Sequence, residues 1–278
     1  MALVYLTFFN GRRTWREALS LDATGVSLGT SVGLKKTTDL SAQIIKLFQS
    51  FADDQNNIYE VHDGAHAYIE KAVEKIRTVH ERWLHPVHTT TTLSWYLVRV
   101  SYLGNPHQNP GYIVGNPNFI EVGYLGNIFK LRTLYDIVGW IFSVVGNVPV
   151  RATRENYYYP LMMIAYVFCS KLAPALPRHS LPISRAPDVW VVWWFQQTVE
   201  NRPVTRVVLG ATLDKPGKDV TGKNVKDETK DLRKYWLKEA GLLKDGTTVP
   251  MQMMKSWGMK GQDFGHCAET YPLLFICS

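Results

Sequence analysis

The feature that most constrains this chain is a proline cluster near two thirds of its length. Four prolines fall between residues 173 and 187, at positions 174, 177, 182 and 187. Proline fixes φ and removes a backbone donor, so the stretch favours extended backbone and excludes a helix interior. We therefore predict a linker over 173–187. It would separate a helix-rich domain with N-terminal strands, over 1–172, from an α/β module over 188–278.

Helical spacing of apolar residues dominates the first predicted domain. The pattern starts after Thr37-Thr38-Asp39, a good helix start, and returns from about Asp63 to Leu84, where Pro86 ends it. These two segments are predicted to form a helical hairpin. Two further apolar stretches of helix length, Leu125 to Val145 and Glu155 to Leu172, are predicted to be core helices.

Extended structure is predicted in the glycine-punctuated residues 1–37, and two Gly-Asn-Pro tripeptides between 86 and 133 predict turns between short extended segments. In the second module, the β-rich runs 189–195 and 206–210 are predicted to pair. A helix from Val225 to Leu243 and a final helix starting near Cys267 follow. The fold class predicted is mixed α+β, helix-rich in the N-terminal two thirds, with a small β-containing module at the C-terminal end.

Composition excludes several classes of protein. A hydrophobic content of 46% is ample for a core, and the charged fraction of 20% argues against disorder. Three scattered cysteines do not suit a disulfide-rich secreted domain and favour a reducing, intracellular compartment, cytoplasmic or nuclear. No apolar stretch is long enough for a membrane span, so no membrane association is expected. The net charge of +7 favours a polyanionic partner such as nucleic acid.

Near the C-terminal end of the chain, Cys267-Ala268-Glu269 opens an apolar helical stretch. This triplet resembles the first half of the zinc-deaminase signature, in the form found in free-nucleoside cytidine deaminases and toxin-type deaminases. The resemblance covers about ten residues and implies that Cys267 binds zinc while Glu269 shuttles protons. The second half of that signature, Pro-Cys-x-x-Cys, is absent from the chain.

Further zinc ligands must come from elsewhere, because a catalytic zinc site needs three protein donors and a water. His266 is the neighbouring candidate, with Cys169 and Cys277 as others. Cys277 lies nearly three turns beyond Cys267, so either Pro272 breaks the helix or Cys277 is not a ligand. Two other interpretations of Cys267 stay open: a buried structural thiol next to a capping Glu269, and a nucleophilic cysteine.

A second histidine group lies in the helical hairpin. His62 and His66 are four residues apart, a spacing that places two imidazoles on one helix face for metal binding. Asp63 stands where a metalloprotease helix has its glutamate, so a zincin-type protease is rejected. Solvated or hydrogen-bonded histidine side chains are the simpler interpretation.

Aromatic residues suggest a surface for stacking bases. Trp190, Trp194 and Tyr158 are the candidate substrate contacts, with Arg151 and Arg154 close to the tyrosine in sequence. Trp190 and Trp194 share one side of an extended strand and Trp193 points to the other, so at most one set lines a pocket. The alternative is that these aromatic residues belong to the core.

The sequence contains no phosphate-binding Gly-x-x-x-x-Gly-Lys loop and no Gly-x-Ser-x-Gly elbow. Nucleotide triphosphatase and serine hydrolase functions are therefore rejected. The function predicted is a deaminase-like, zinc-dependent hydrolase acting on a nucleobase, nucleoside or nucleic acid, with Glu269 and Cys267 catalytic and with Cys267 and His266 as metal ligands. The alternative is a non-enzymatic nucleic-acid or protein-binding module in which Cys267 is structural.

Overall fold

The computed structural model describes residues 37–83, 90–92, 99–103, 111–114, 119–172, 187, 189–199, 201–213, 225–242 and 268–277. These residues form six α-helices: α1 (Thr37–Ala52), α2 (His66–Trp83), α3 (Leu134–Val144), α4 (Tyr159–Leu172), α5 (Val225–Glu239) and α6 (Thr270–Cys277). A π-helical segment, Arg154–Tyr158, leads into α4. Within this part of the chain, no helix is both long and apolar enough to cross a bilayer.

The strands pair only in antiparallel fashion within the described ranges. They are β1 (Thr90–Thr92), β2 (Arg99–Leu103), β3 (Gly111–Val114), β4 (Ile120–Tyr124), β5 (Asn127–Leu131), β6 (Trp190–Val199) and β7 (Arg202–Ala211). They form a sheet β1-β2-β3 and two hairpins, β4-β5 and β6-β7. The protein is thus mixed α+β, as predicted. The finer layout stays a prediction, because residues 1–36 lie outside the described part.

The predicted hairpin of α1 and α2 is present, and the two helices pack through buried apolar faces that include Phe48, Phe51 and Ile69. Helix α2 begins at His66, three residues later than expected. Gly64 precedes it with φ of +76°, a left-handed conformation that a right-handed helix cannot contain. His62 therefore lies before the helix, which bears on the proposed histidine pair.

The prediction of a helix starting at Leu125 is wrong, because this region forms the β4-β5 hairpin. Leu125 and Gly126 have φ of +48° and +88°, the two positive values that a tight two-residue hairpin turn requires. Helix α3 starts only at Leu134, where the Thr133 hydroxyl caps it by accepting a bond from the Asp136 backbone N–H at 3.1 Å. The helix predicted over 155–172 is confirmed as the π-helical segment followed by α4.

The β6-β7 hairpin is the predicted pair of β-rich runs, and helices cover both of its faces. On one face, the Leu209 backbone lies against Gly139 of α3. Gly210, the next residue along β7, points the opposite way, towards Ala268 and Pro272 at the start of α6. Helices α3 and α6 therefore sandwich the hairpin from opposite sides.

A buried ion pair ties these elements together. Arg233 of α5 donates to the Asp136 carboxylate of α3 at 2.7 Å and to the Ala211 carbonyl of β7 at 3.2 Å. Both charged side chains are almost fully buried, a situation that is tolerated only where the charges are paired. Elements on both sides of the proline cluster thus share one core. The predicted linker 173–187 lies almost entirely outside the described residues.

Candidate functional site

The Cys-Ala-Glu triplet leads directly into helix α6. Ala268 and Glu269 form the turn before the helix, and the Glu269 carbonyl accepts the first helical bond from the Leu273 N–H at 2.8 Å. The Glu269 side chain is half-buried. Pro272 lies in the first helical turn, where its missing N–H costs nothing, so it does not break α6. The final predicted helix is present, with its start three residues after Cys267.

Ala268 is pressed against the β6-β7 hairpin. A methyl group added at Gly210 would lie 2.1 Å from the Ala268 carbonyl oxygen and 2.7 Å from Pro272. Ala268 itself is 2% exposed. Glycine at position 210 therefore lets β7 approach the backbone of the triplet, and this contact fixes the position of the turn that carries Glu269.

Cys267 and His266, the two candidate metal ligands, lie outside the described residues. Cys277 is exposed and stands at the C-terminal end of the unbroken α6, about 10 Å along the helix axis from its first residue. Burial raises the pKa of the Cys169 thiol well above its usual range, which keeps it neutral. In the described ranges, no three His, Cys, Asp or Glu side chains cluster as metal ligands.

The structure excludes the metal-binding alternative for His62 and His66 and agrees with the simpler interpretation of hydrogen-bonded histidines. Because α2 begins at His66, the two imidazoles do not lie on one helix face. The His66 ring contacts the Phe51 carbonyl at 3.2 Å, while Nε2 of His62 contacts Nη1 of Arg206 on β7. A guanidinium beside this nitrogen occupies the place that a metal ion would need.

The aromatic candidates divide between two environments. The Trp194 ring stacks on Tyr158 with ring centroids 4.1 Å apart, and the Arg154 guanidinium lies 5.8 Å from the Trp194 ring centre. Trp194 is 39% exposed. Trp190 instead makes edge contacts with Tyr135 and Tyr166 and is partly buried against the core.

Trp190 and Trp194 lie on the α3 side of the hairpin. They pair with Ala211 and Val207, which alternate with Gly210, the residue that faces α6. Glu269 precedes α6 on the other side. The predicted aromatic contacts and the predicted proton shuttle are therefore separated by the hairpin, and any role of the aromatic residues belongs to a second surface.

Sequence reasoning missed a cleft that opens between α2 and the two hairpins. We name it the Arg206 cleft; its volume is about 580 Å³. Its walls come from residues 62–65, Tyr68, 123–128, Val144, 197–199 and Arg206. One feature of the sequence could have indicated this cleft. Arg206 is a charged residue on a strand face that it shares with the buried Val208 and with Gly210.

Electrostatics in the Arg206 cleft are dominated by one cation. Burial, and secondarily the Arg206 charge, lowers the pKa of His62 to about 3, so this imidazole is neutral at pH 7. Its Nε2 faces the guanidinium and accepts, which places the ring proton on Nδ1. Burial also raises the pKa of the Tyr124 hydroxyl, which stays protonated.

Comparison with protein-family models, with curated proteins and with solved structures finds no match to this chain.

Proposed function

We propose that this protein is a deaminase-like hydrolase acting on a nucleobase-containing substrate, with its centre at Cys267 and Glu269. The observation that carries the proposal is the placement of the triplet. Its last two residues form the turn before α6, Ala268 is fixed against Gly210, and Glu269 stays partly accessible. The N-terminal end of a helix favours negative charge, which suits both a thiolate and a carboxylate there.

Cys267 and His266 are the residues that would hold zinc, and zinc would supply the activated water for hydrolytic deamination. Glu269 would accept a proton from that water and pass it to the ring nitrogen and the leaving amine. A third protein ligand would be needed to complete a catalytic zinc site with Cys267, His266 and a water.

Metal analysis of purified Cys variants tests this proposal. We expect one equivalent of zinc in the wild-type protein and its loss in Cys267→Ser. Cys277→Ser is the matched control, because Cys277 is an exposed cysteine at the other end of the same helix. It should retain the metal. A folded wild-type protein without zinc, or equal zinc in both variants, would contradict the proposal.

A second candidate function, a nucleic-acid-binding module without catalysis, is favoured by the stack of Trp194 on Tyr158 beside Arg154. A partly exposed tryptophan next to a guanidinium suits stacking of an unpaired base, worth about 1–3 kcal/mol per base. In this function Cys267 would be structural.

Titration with a single-stranded oligonucleotide, followed by tryptophan fluorescence, tests the second candidate. Trp194→Ala should weaken binding by roughly 5- to 100-fold, since one stacked base is lost. Tyr235→Ala removes another exposed aromatic residue, 51% exposed on α5, and serves as the control. Equal affinities of the two variants would count against this surface.

A further inference from the structure

The Arg206 cleft contains a cation that forms no salt bridge with a described residue. Burial lowers the pKa of Arg206, and the nearby Tyr124 and Asp63 oppose this shift. Arg206 is half-buried, and among the described residues no carboxylate lies within salt-bridge distance of it. Its Nε–H donates to Gln197 at 3.4 Å and its Nη1 contacts His62. Two of the five N–H donors of the guanidinium are therefore used, and three remain for a ligand.

A buried hydroxyl beside this cation also lacks a partner. Tyr124 lines the cleft and is 2% exposed, and its hydroxyl makes no hydrogen bond with any described residue. A buried hydroxyl without a hydrogen-bond partner costs free energy. Its position beside an arginine that forms no salt bridge is the pattern expected where a ligand supplies the acceptor.

Three groups in the cleft can donate hydrogen bonds. Besides the guanidinium and the Tyr124 hydroxyl, the neutral His62 ring presents its Nδ1–H, because Nε2 already accepts from Arg206. Asp63 contributes one negative charge at the exposed edge. One arginine beside one carboxylate suits a singly charged anion better than a doubly charged phosphate monoester.

The remaining walls are apolar. The Tyr68 ring lies close to Gly123, where an added methyl group would come within 2.5 Å of the ring. Leu125 and Ile128 reach the rim and are 37% and 43% exposed. A cleft of about 580 Å³ with such walls has the size and lining of a small-molecule site.

We propose that the Arg206 cleft binds a small organic carboxylate, with the carboxylate on Arg206 and Tyr124 and an apolar body against Tyr68, Leu125 and Ile128. This site is separate from the proposed catalytic centre and does not depend on it. Arg206 and Gly210 are four residues apart on β7, which corresponds to about 13 Å along the strand.

Isothermal titration of the wild-type protein with four probes tests the ligand class. We expect phenylacetate to bind and its neutral analogue phenylacetamide to bind at least about tenfold more weakly, because the amide carries no charge for Arg206. Acetate should be weaker than phenylacetate because it leaves the apolar walls uncovered. Absence of phenylacetate binding, equal binding of the amide, or tighter binding of phenyl phosphate would overturn the proposal.

Two substitutions test whether phenylacetate binds at Arg206 and Tyr124. Arg206→Met should weaken phenylacetate binding at least about tenfold, and the control Arg151→Gln, at an exposed arginine outside the cleft, should not change it. Tyr124→Phe should weaken binding by roughly tenfold while raising Tm by about 2 °C, since it removes the unsatisfied buried hydroxyl. Because Tyr124→Phe is expected to fold, unchanged phenylacetate affinity in this variant would overturn the proposal even if Arg206→Met did not fold.

Discussion

At the scale of single residues, His62 gives the clearest pH dependence. Arg206, Asp63, Tyr68 and Tyr124 are the charged or titratable side chains with which it shares the cleft. Its folded pKa of about 3 lies below the ordinary 6.5, so below pH 6.5 the unfolded chain takes up a proton that the folded protein refuses. Stability should therefore be complete above pH 6.5 and fall as the pH drops towards 3, by up to about 1.4 kcal/mol per pH unit.

The matched variant is His62→Gln, which keeps a side-chain acceptor for Arg206 but does not titrate. Urea unfolding at pH 7.5 and pH 5.0 measures the effect. We expect the wild-type protein to lose up to about 2 kcal/mol more than the variant over this interval. Equal losses would show that His62 does not remain neutral in the folded protein.

The metal-binding alternative for His62 and His66 is excluded by the backbone just before helix α2. The spacing to His66 fits a metal-binding helix face only if both residues are helical, and the left-handed Gly64 excludes that. The true neighbour of His62 is Arg206, 144 positions away in sequence. Local spacing carries no information about a contact between distant segments.

At the scale of elements, the close contact between β7 and the start of α6 leads to a direct prediction about stability. Gly210→Ala would place a methyl group 2.1 Å from a backbone oxygen, so the turn at Ala268 and Glu269 must move. We expect a loss of about 1–3 kcal/mol in the free energy of unfolding, as for other overpacked sites, together with loss of the zinc that we propose for this centre.

Gly139→Ala is the control for this element contact. Its added methyl group would also face a backbone oxygen, that of Leu209, but at 3.1 Å, and alanine favours the helix at this position. Its stability should stay close to that of the wild-type protein in chemical denaturation. If both variants unfold at the same denaturant concentration, the close approach at Gly210 is not what holds the triplet.

Elements with a strong repeating pattern could be predicted from the sequence. The α1-α2 hairpin, the β6-β7 pair and helix α5 follow from periodicity. Helix α5 ends at Glu239, four residues earlier than predicted. Gly241, with φ of +71°, closes it with a bond from its N–H to the Lys238 carbonyl at 2.8 Å. The β4-β5 hairpin was missed because its turn begins with Leu125, a residue that rarely takes positive φ. Apolar content alone then suggested a helix.

At the scale of the whole molecule, the sandwich around β6-β7 decides which predicted site residues can act together. Trp190 and Trp194 lie on the α3 side, and Glu269 stands at the start of α6 on the other side. The sequence suggested each of these residues as a candidate, and strand alternation predicted that Trp193 faces the opposite side from the other two tryptophans. It could not reveal which face α6 would cover, because that depends on packing between distant segments.

The Arg206 cleft could not be predicted from the sequence, because it is formed by segments that are far apart in the chain. Its walls come from residues between 62 and 206, brought together by α2 and two separate hairpins. No motif joins them. The polar groups can be recognised as a binding site only from the structure. Among the described residues, Arg206 forms no salt bridge and the Tyr124 hydroxyl has no hydrogen-bond partner.

The most direct measurement for the proposed function is ammonia release from cytidine, cytosine, adenosine and a single-stranded oligonucleotide, with wild-type protein and Glu269→Gln. We expect release from at least one substrate, and a loss of at least about 100-fold in Glu269→Gln with zinc content unchanged, since the glutamine cannot carry the proton. Equal ammonia release by Glu269→Gln and wild type, or no release by a zinc-loaded wild-type protein, would contradict the account.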